Sequence, residues 1–198
     1  MPLKFYRERN VCSVAKQLIG KVLVTTFDHQ LTAGRIVETE AYNGMTDKAS
    51  HAWNGRRTAR NEHMYAAGGV AYVYICYGMH HLFNVVTHEA EIPHAVLIRA
   101  LEPMVGINHM LKRCGKIKAA CSITRGPGNL SKALGIDKQH SGIPLTGNEI
   151  YLLDDGFRAK KMQVLATARI GVESAGEDAL LPYRFLLKNN PYVSARKS

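Results

Sequence analysis

Residues 71–86 read Ala71-Tyr-Val-Tyr-Ile-Cys-Tyr-Gly-Met-His-His-Leu-Phe-Asn-Val-Val86, and this stretch decides the fold. Its first part, 72–76, is aromatic and β-branched, which favours an extended strand, and 82–86 has a similar composition. Gly78 lies between them and can adopt the positive φ that a tight connection needs. The sequence therefore predicts a β-hairpin at the centre of the fold.

The tip of this hairpin carries two large apolar side chains, Tyr77 and Met79, where Asn, Asp or Ser would be usual. On a strongly basic protein, an apolar tip indicates a wedge that enters between stacked bases. The alternative is a tip that packs against another segment of the same chain. The sequence alone leaves both interpretations open.

The composition is that of an ordinary folded domain. The chain has 198 residues, 46% hydrophobic and 21% charged, so we expect one domain over residues 1–198. Lys and Arg outnumber Asp and Glu by 26 to 16, which gives a net charge of +10. That excess favours a polyanionic partner.

Several classes of protein are not indicated by the sequence. The N-terminus lacks the apolar segment of a signal peptide, and no apolar run approaches the ~20 residues of a membrane span. The four cysteines form no C-x-x-C pattern, so we expect free thiols and a cytoplasmic location. The nine histidines lack the i, i+4 spacing of a zinc helix, and no phosphate-binding glycine pattern occurs. We therefore expect no metal and no cofactor.

The rest of the chain suits an α+β fold. Strands are predicted at 22–26, 31–42, 95–101, 151–153, 163–170 and 183–187, and helices at 11–18, 105–112 and 130–134. Asn10 is expected to cap the first helix and Pro103 to end the strand 95–101. Residues 194–198 are interpreted as a basic tail. We expect a curved, mostly antiparallel sheet with surrounding helices and a protruding β-hairpin.

Candidate catalytic residues lie on the strand 31–42. Glu38, Glu40 and Tyr42 share one face of it, because side chains alternate along a strand. A carboxylate beside an aromatic ring in an apolar pocket suits a general base that activates water. The alternative is an exposed strand whose acids are solvated.

Other polar residues stand in positions that need partners. Arg99 lies among apolar residues and requires a buried anion, for which Glu40, a phosphate or Glu102 would serve. Asn84 lies in an apolar strand and would either satisfy nearby backbone groups or read a base. His51, in a polar loop, would either order that loop or donate to a base edge.

Basic residues and one glycine-rich turn suggest contact with phosphates. The basic residues are Arg56, Arg57, Arg60, Lys112, Arg113, Lys116, Lys118 and Arg125. Their number favours phosphate contact over a merely solvated face. The turn 126–128, Gly-Pro-Gly before a helix, exposes backbone N–H groups that suit a phosphate.

Taken together, these stretches resemble one family, the alkyladenine (3-methyladenine) DNA glycosylases of mammals and some bacteria. The resemblance runs in order through residues 35–42, the loop to His51, 72–79, Asn84, 97–103, 169–172, 182–185 and 190–194. It covers nearly the whole chain. His80, where some relatives have an aromatic residue, and Ala59, where proline is frequent, depart from the pattern.

The resemblance implies a role for each candidate residue. Glu40 is expected to activate the attacking water, which Arg99 and the backbone of Ile170 help to hold. The base pocket is expected to consist of Tyr42, His51, Tyr74, Asn84 and Ile170. Asn84 is expected to exclude normal guanine, and Tyr77 with Met79 to enter the minor groove.

The resemblance also implies a reaction and a partner. We expect a monofunctional DNA glycosylase, a monomer that flips alkylated or deaminated purines out of double-stranded DNA. It is expected to hydrolyse the N-glycosidic bond without metal or cofactor and to leave an abasic site for base excision repair. In a bacterium, it would be cytoplasmic and associated with the nucleoid. The alternatives are a non-catalytic nucleic-acid-binding protein and a histidine-based metal hydrolase.

Overall fold

A computed structural model describes residues 1–194, and for Lys161 only the backbone. The strands are β1 (Val22–Phe27), β2 (Gln30–Tyr42), β3 (Ala71–Cys76), β4 (His80–Thr87), β5 (His94–Val105), β6 (Ile150–Leu153), β7 (Val164–Thr167) and β8 (Arg184–Leu187). The helices are α1 (Leu3–Tyr6), α2 (Val11–Leu18), α3 (Ile107–Cys114) and α4 (Pro127–Leu134). The predicted α+β class is confirmed. Of the predicted basic tail, 195–198 lie outside the described residues.

The long strand β2 is the centre of a curved antiparallel sheet with the order β3-β4-β5-β2-β1-β6. β5 pairs with it along most of its length, β1 pairs with its first half, and β8 pairs with residues 38–40. β7 pairs in turn with β8. The second half of β2 is therefore hydrogen-bonded to strands on both edges, and its residues 36–41 are all buried.

Three irregularities interrupt the pairing of β2 with β5, and two of them lie beside the acidic residues of β2. The register skips Val37 on β2 and then Arg99 on β5, as in a pair of β-bulges. A bulge bends its strand and re-aims a side chain, and bulges are frequent beside active sites. The distortion brings Arg99 towards the acidic residues of β2.

Most predicted elements are present, with several corrections to their bounds. The strand predicted over 163–170 is β7, which ends at Thr167, and the helix predicted from 130 begins at Pro127. The return strand of the hairpin begins at His80, two residues earlier than expected. Pro103 does not end β5, because it lies opposite Gly34 beside a register shift, where the missing N–H breaks no regular ladder. The helix predicted from 105 begins at Ile107, because Gly106 has a left-handed φ of 74°. Helix α1 was not predicted.

The helices bury apolar faces in one large cluster with the sheet. Helix α2 contributes Val14 and Leu18, and α4 contributes Leu130 and Leu134. The side chain of Asn10 accepts the backbone N–H of Ser13, which confirms the predicted helix cap. Among residues 1–194, no helix is long and apolar enough to cross a membrane.

Candidate active site

Four charged side chains meet in the interior where β2, β5 and β8 join. Glu38 and Glu40 are fully buried, and Arg99 and Arg184 are nearly so. Arg99 donates through Nε to Glu38 Oε1 and through Nη1 to Glu40 Oε2, each at 3.1 Å. Arg184 Nε donates to Glu38 Oε1 at 2.6 Å. Two carboxylates thus face two guanidiniums, as buried charges require.

This arrangement settles two of the alternatives. The acids of β2 are not solvated, so the interpretation of an exposed strand is wrong. Glu102 does not bind Arg99, because its carboxylate accepts instead from the side-chain amide of Asn190 at 2.9 Å. Arg99 donates to Glu40, which is one of the three predicted partners, and it also donates to Glu38.

Glu40 accepts hydrogen bonds on both carboxylate oxygens. Its Oε1 accepts the backbone N–H of Ile170 at 2.8 Å. Its Oε2 accepts the hydroxyl of Tyr42 at 3.0 Å, in addition to Arg99. The orientation of the carboxylate is therefore fixed. The N–H of Ile170, which the resemblance associates with the attacking water, is donated to Glu40 itself.

The groups around Glu40 keep their protonation states over a wide pH range. Burial, and then the neighbouring charge of Glu40, raise the pKa of Tyr42 well above its ordinary value. Burial opposes the charge of Arg99, but Glu40 and Glu38 outweigh it and raise the pKa of Arg99. Tyr42 therefore remains a hydrogen-bond donor and Arg99 remains a cation.

Three aromatic side chains stand together beside this cluster. The ring centroids of His51 and Tyr74 are 4.6 Å apart and nearly perpendicular, and those of Tyr72 and Tyr74 are 5.5 Å apart. His51 Nδ1 lies 2.8 Å from the hydroxyl oxygen of Tyr72. Burial, assisted by Arg60 and Arg56, lowers the pKa of His51 to about 4. His51 is therefore a neutral ring held in one orientation at pH 7.

A cavity in two adjoining parts opens over these rings. The outer part, about 310 Å³, is lined by residues that include Tyr42, Tyr74, Tyr77, Arg99, Ile170 and the loop 126–129. The inner part, about 180 Å³, is lined by residues that include Tyr42, His51, Tyr72, Tyr74 and Asn84. The three residues that donate to Glu40 all line the outer part. The carboxylate therefore lies directly behind the cavity wall, and the predicted pocket residues do converge.

Sequence reasoning missed several residues of this cavity. Cys76 and Gly171 line both parts, and the turn 126–128 lines the outer one. The sequence predicts a phosphate-binding element at that turn and does not indicate a pocket wall. A Cβ at Gly128 would lie 2.9 Å from His80 Nδ1, so the absence of a side chain lets the hairpin approach. No sequence signal pointed to Cys76 or Gly171.

The tip of the hairpin projects into solvent. Tyr77 is 87% exposed and Met79 is 70% exposed, so the alternative of a tip packed against the same chain is wrong. Tyr77 and Gly78 have φ of 50° and 71°, the values of a type I′ turn. A left-handed conformation is costly for a large aromatic residue. An exposed ring is thus held at the mouth of the cavity.

Asn84 is buried at the inner end of the cavity. Its Nδ2 donates to the carbonyl oxygens of Tyr72 at 3.1 Å and Leu82 at 3.3 Å. Both donors of the amide are therefore used by the backbone, as one of the predicted alternatives has it. Because Asn84 also lines the inner part of the cavity, its Oδ1 is the polar atom that remains for a bound molecule.

Part of the basic set is engaged within the protein. Arg57 pairs with Glu62 and Glu91. Arg113 donates to the Thr32 hydroxyl and the Ala133 carbonyl oxygen. Arg57 and Arg113 therefore also have structural partners, and phosphate contact by the basic residues stays a prediction.

Among residues 1–194, no group of three His, Cys, Asp or Glu side chains is placed to hold a metal ion. The side chains gathered around the cavity that can take part in chemistry are Glu40, Arg99 and the aromatic rings. A fixed carboxylate behind an aromatic cavity can orient a water and can stabilise a nearby positive charge.

Comparison with known proteins agrees with this geometry. Residues 4–191 match the family described as Methylpurine-DNA glycosylase. The chain belongs to this family. It is therefore a DNA glycosylase, a hydrolase of N-glycosyl bonds that acts on DNA in repair. The resemblance inferred from the sequence is confirmed, and the alternative of a non-catalytic binding protein is wrong.

Similar proteins span the length of this glycosylase. A protein of Chlamydia pneumoniae is 46% identical over 184 residues, which cover 92% of each chain. One of Bacillus cytotoxicus is 42% identical over 201 residues, covering 98% of each. One of Bdellovibrio bacteriovorus is 41% identical over 198 residues, covering 99% of each. All three carry the provisional name 3-methyladenine DNA glycosylase.

The lowered pKa of His51 makes the stability of the glycosylase depend on pH. The unfolded chain binds a proton at His51 near pH 6.5, whereas the folded protein does so near pH 4. The unfolded state thus holds more protons in this window, and the free energy of unfolding falls as the pH is lowered through it. Between pH 6.5 and 4.5, we expect the free energy of unfolding of the His51→Gln variant to fall by about 1–2 kcal/mol less than that of the wild type.

Urea unfolding of the wild type and of His51→Gln at pH 6.5 and 4.5 measures this difference in the pH dependence of stability. The pKa of His94 is also lowered to about 4, chiefly by burial, so a part of the fall should persist in the variant. An identical pH dependence in the two proteins would contradict the buried, neutral state of His51.

Proposed function

We propose that the protein removes alkylated and deaminated purines from double-stranded DNA, as a monomer, by hydrolysing the N-glycosidic bond with a water that Glu40 activates. The water forms a bond to the anomeric carbon while the bond to the purine nitrogen breaks. The purine leaves with the bonding electron pair, and the water proton passes to Glu40 and then to solvent. The products are the free purine and an abasic site.

The observation that carries this proposal is the placement of Glu40. It is fully buried, and its three donors line the outer part of the cavity. Among the hydrogen bonds of residues 1–194, its Oε1 accepts the N–H of Ile170 alone, so a lone pair remains for a water. As the glycosidic bond loosens, positive charge grows on the sugar, and a fixed carboxylate stabilises that charge.

The aromatic residues of the cavity suit a flipped-out purine. Tyr42, Tyr74 and His51 present ring faces and edges around the space beside Glu40. A cationic alkylpurine gains about 0.5–2 kcal/mol from contact with an electron-rich ring. Such a base is also a good leaving group, so the neutral His51 need not supply a proton to it. A neutral lesion such as hypoxanthine requires protonation to leave.

The exposed hairpin tip suits the space that a flipped-out base leaves in the DNA duplex. A base inside a duplex must be extruded to reach the cavity, which costs a few kcal/mol. Tyr77 and Met79, next to the cavity mouth, offset this cost when they fill the space that the base has left. Bases that pair badly are extruded most easily, which favours damaged ones.

The proposed reaction ends at the abasic site. Strand cleavage by glycosylases requires an amine that attacks the sugar. Among the described residues, those that line the two parts of the cavity include no lysine. The proposal therefore is of a monofunctional enzyme that leaves the DNA strand unbroken.

The decisive experiment uses one duplex for each lesion. Duplexes with 3-methyladenine, 7-methylguanine, hypoxanthine or ethenoadenine are incubated with the protein, and abasic sites are then cleaved by alkali. Strand breaks that appear only after alkali support a monofunctional glycosylase and rank its lesions. Breaks before alkali would contradict the proposed end point, and no release from any duplex would contradict the proposed function.

Asn84 gives a prediction on the choice of base. Because backbone carbonyls hold its amide in one orientation, it presents a fixed obstacle at the inner end of the cavity. We expect Asn84→Ser to release normal guanine about 10-fold faster than the wild type, since the smaller side chain leaves room for the exocyclic amine. Guanine release from undamaged DNA is the measurement. Unchanged discrimination would remove Asn84 from this role.

A further inference from the structure

A second buried ion pair, Arg169 with Asp47, lies beside the Glu40 cluster. Both residues are 2% exposed. Arg169 Nη1 lies 2.5 Å from Asp47 Oδ2, and Nη2 lies 2.9 Å from Oδ1. Nη1 also donates to the carbonyl oxygen of Ala41 and Nη2 to that of Asp178, each at 3.0 Å. Only a planar guanidinium can make this set of contacts.

The ion pair is linked to three parts of the site, which are the backbone N–H of Ile170, the ring of Tyr42 and the loop that carries His51. Arg169 directly precedes Ile170, whose N–H donates to Glu40. Its partner Ala41 directly precedes Tyr42.

Asp47 connects the pair to the loop that carries His51. Asp47 accepts the backbone N–H groups of Asn43 at 3.1 Å and Ala49 at 3.0 Å. It thereby fixes the turn that leads from β2 towards that loop. A shift of the pair would therefore displace the base-binding rings together with the donor to Glu40.

Arg169 also contacts the ring of Tyr42. Its guanidinium carbon is 4.9 Å from the centroid of Tyr42 and 5.4 Å from that of Tyr183. Tyr42 lines the cavity, whereas Arg169 is not one of the residues described as lining it. The guanidinium therefore supports Tyr42 from outside the cavity.

We propose that Arg169, clamped by Asp47, is the positioning residue that sets both the ring of Tyr42 and the N–H of Ile170 relative to Glu40. This inference rests on the proposed function, in which Tyr42 stacks on the base and Glu40 activates water. Arg169 itself touches neither the base nor the water. It acts through the two neighbours that it holds.

Two substitutions test the role, and a matched control is available. Arg169→Lys keeps the positive charge but not the planar, bidentate contact, and Asp47→Asn keeps the shape but not the charge. Arg35 makes similar contacts nearer the surface, since it binds Asp155 through both Nη atoms and lies 4.4 Å from the ring of Phe157. Arg35→Lys therefore controls for the general cost of replacing a stacked, bidentate arginine.

The measurements separate positioning from stability. We expect both variants to release 7-methylguanine about 100-fold more slowly in single-turnover assays, because small misplacements of reacting groups have effects of this size. Affinity for a duplex with an abasic analogue should stay within about 3-fold, since Tyr77 lies on a different element. The control Arg35→Lys should retain the wild-type rate.

The division between binding and chemistry supplies a readout that a loss of stability alone does not move. A less stable variant has a smaller folded fraction, which lowers the apparent affinity but leaves the single-turnover rate constant of the bound, folded protein unchanged. A displaced Tyr42 ring and Ile170 N–H should instead lower that rate constant in both Arg169→Lys and Asp47→Asn, while the affinity stays close to that of the wild type.

Each outcome decides between the two proposals. A wild-type single-turnover rate constant in either folded variant would overturn the positioning role and leave the proposed function intact. Equal losses in binding and rate, or failure of both variants to fold, would reduce the pair to a folding element. A wild-type protein that releases no purine from any of the four lesion duplexes would overturn both proposals.

Discussion

Replacing Glu40 with glutamine should abolish base release while the protein still binds damaged DNA. The substitution removes the group that accepts the proton of water and the negative charge beside the sugar. General base catalysis and electrostatic stabilisation each contribute about 100-fold or more, so we expect the single-turnover rate to fall by at least about 1,000-fold. Affinity for a lesion duplex should change by less than about 10-fold, because Glu40 lies behind the cavity wall.

The control for this variant is Glu102→Gln. Glu102 is a partly buried carboxylate on β5 that binds Asn190 and does not line the cavity. The Glu102→Gln variant should release bases at the wild-type rate. Near-normal turnover by Glu40→Gln, or an equal loss in both variants, would remove Glu40 from the catalytic role.

Replacing Tyr77 with serine should weaken lesion binding and leave the fold intact. The side chain is 87% exposed, so its removal costs little packing. Stacking of an aromatic ring on bases contributes about 1–3 kcal/mol, which corresponds to roughly 10- to 100-fold in affinity. Titration of an abasic-analogue duplex measures the loss directly. A 2-aminopurine beside the lesion should also show less unstacking.

Met162→Ser is the matched control for this prediction. Met162 is 89% exposed, like Tyr77, but it lies in the turn before β7 and not at the hairpin tip. Its replacement should leave affinity unchanged. An unchanged affinity in Tyr77→Ser would mean that the exposed ring does not enter the duplex.

The elements that position the site could be predicted because their signals are local. The hairpin 71–86 shows a strand composition on both sides of Gly78, and helix α2 shows a capping residue before an apolar face. Alternation along β2 correctly placed Glu38 and Glu40 on one face. Signals of this kind depend only on residues a few positions apart.

The ionic contacts of the site could not be predicted in the same way. Arg99 and Glu38 are 61 positions apart, and their contact depends on bulges that skip Val37 and Arg99 itself. Arg169 and Asp47 are 122 positions apart. Such contacts are set by how strands pair and how loops return, which a pattern along one strand does not specify. The assignment of roles to His51 and Asn84 depended on the family resemblance.

Because the backbone at Tyr77 is left-handed, selection for protein stability and selection for DNA repair favour different residues at this position. Asparagine or glycine would relieve a conformational penalty of order 1 kcal/mol that the aromatic ring imposes. A library screened only for heat resistance should therefore enrich these two residues at the tip. Cells that carry the enriched variants would contain a more stable protein but would be more sensitive to alkylating agents.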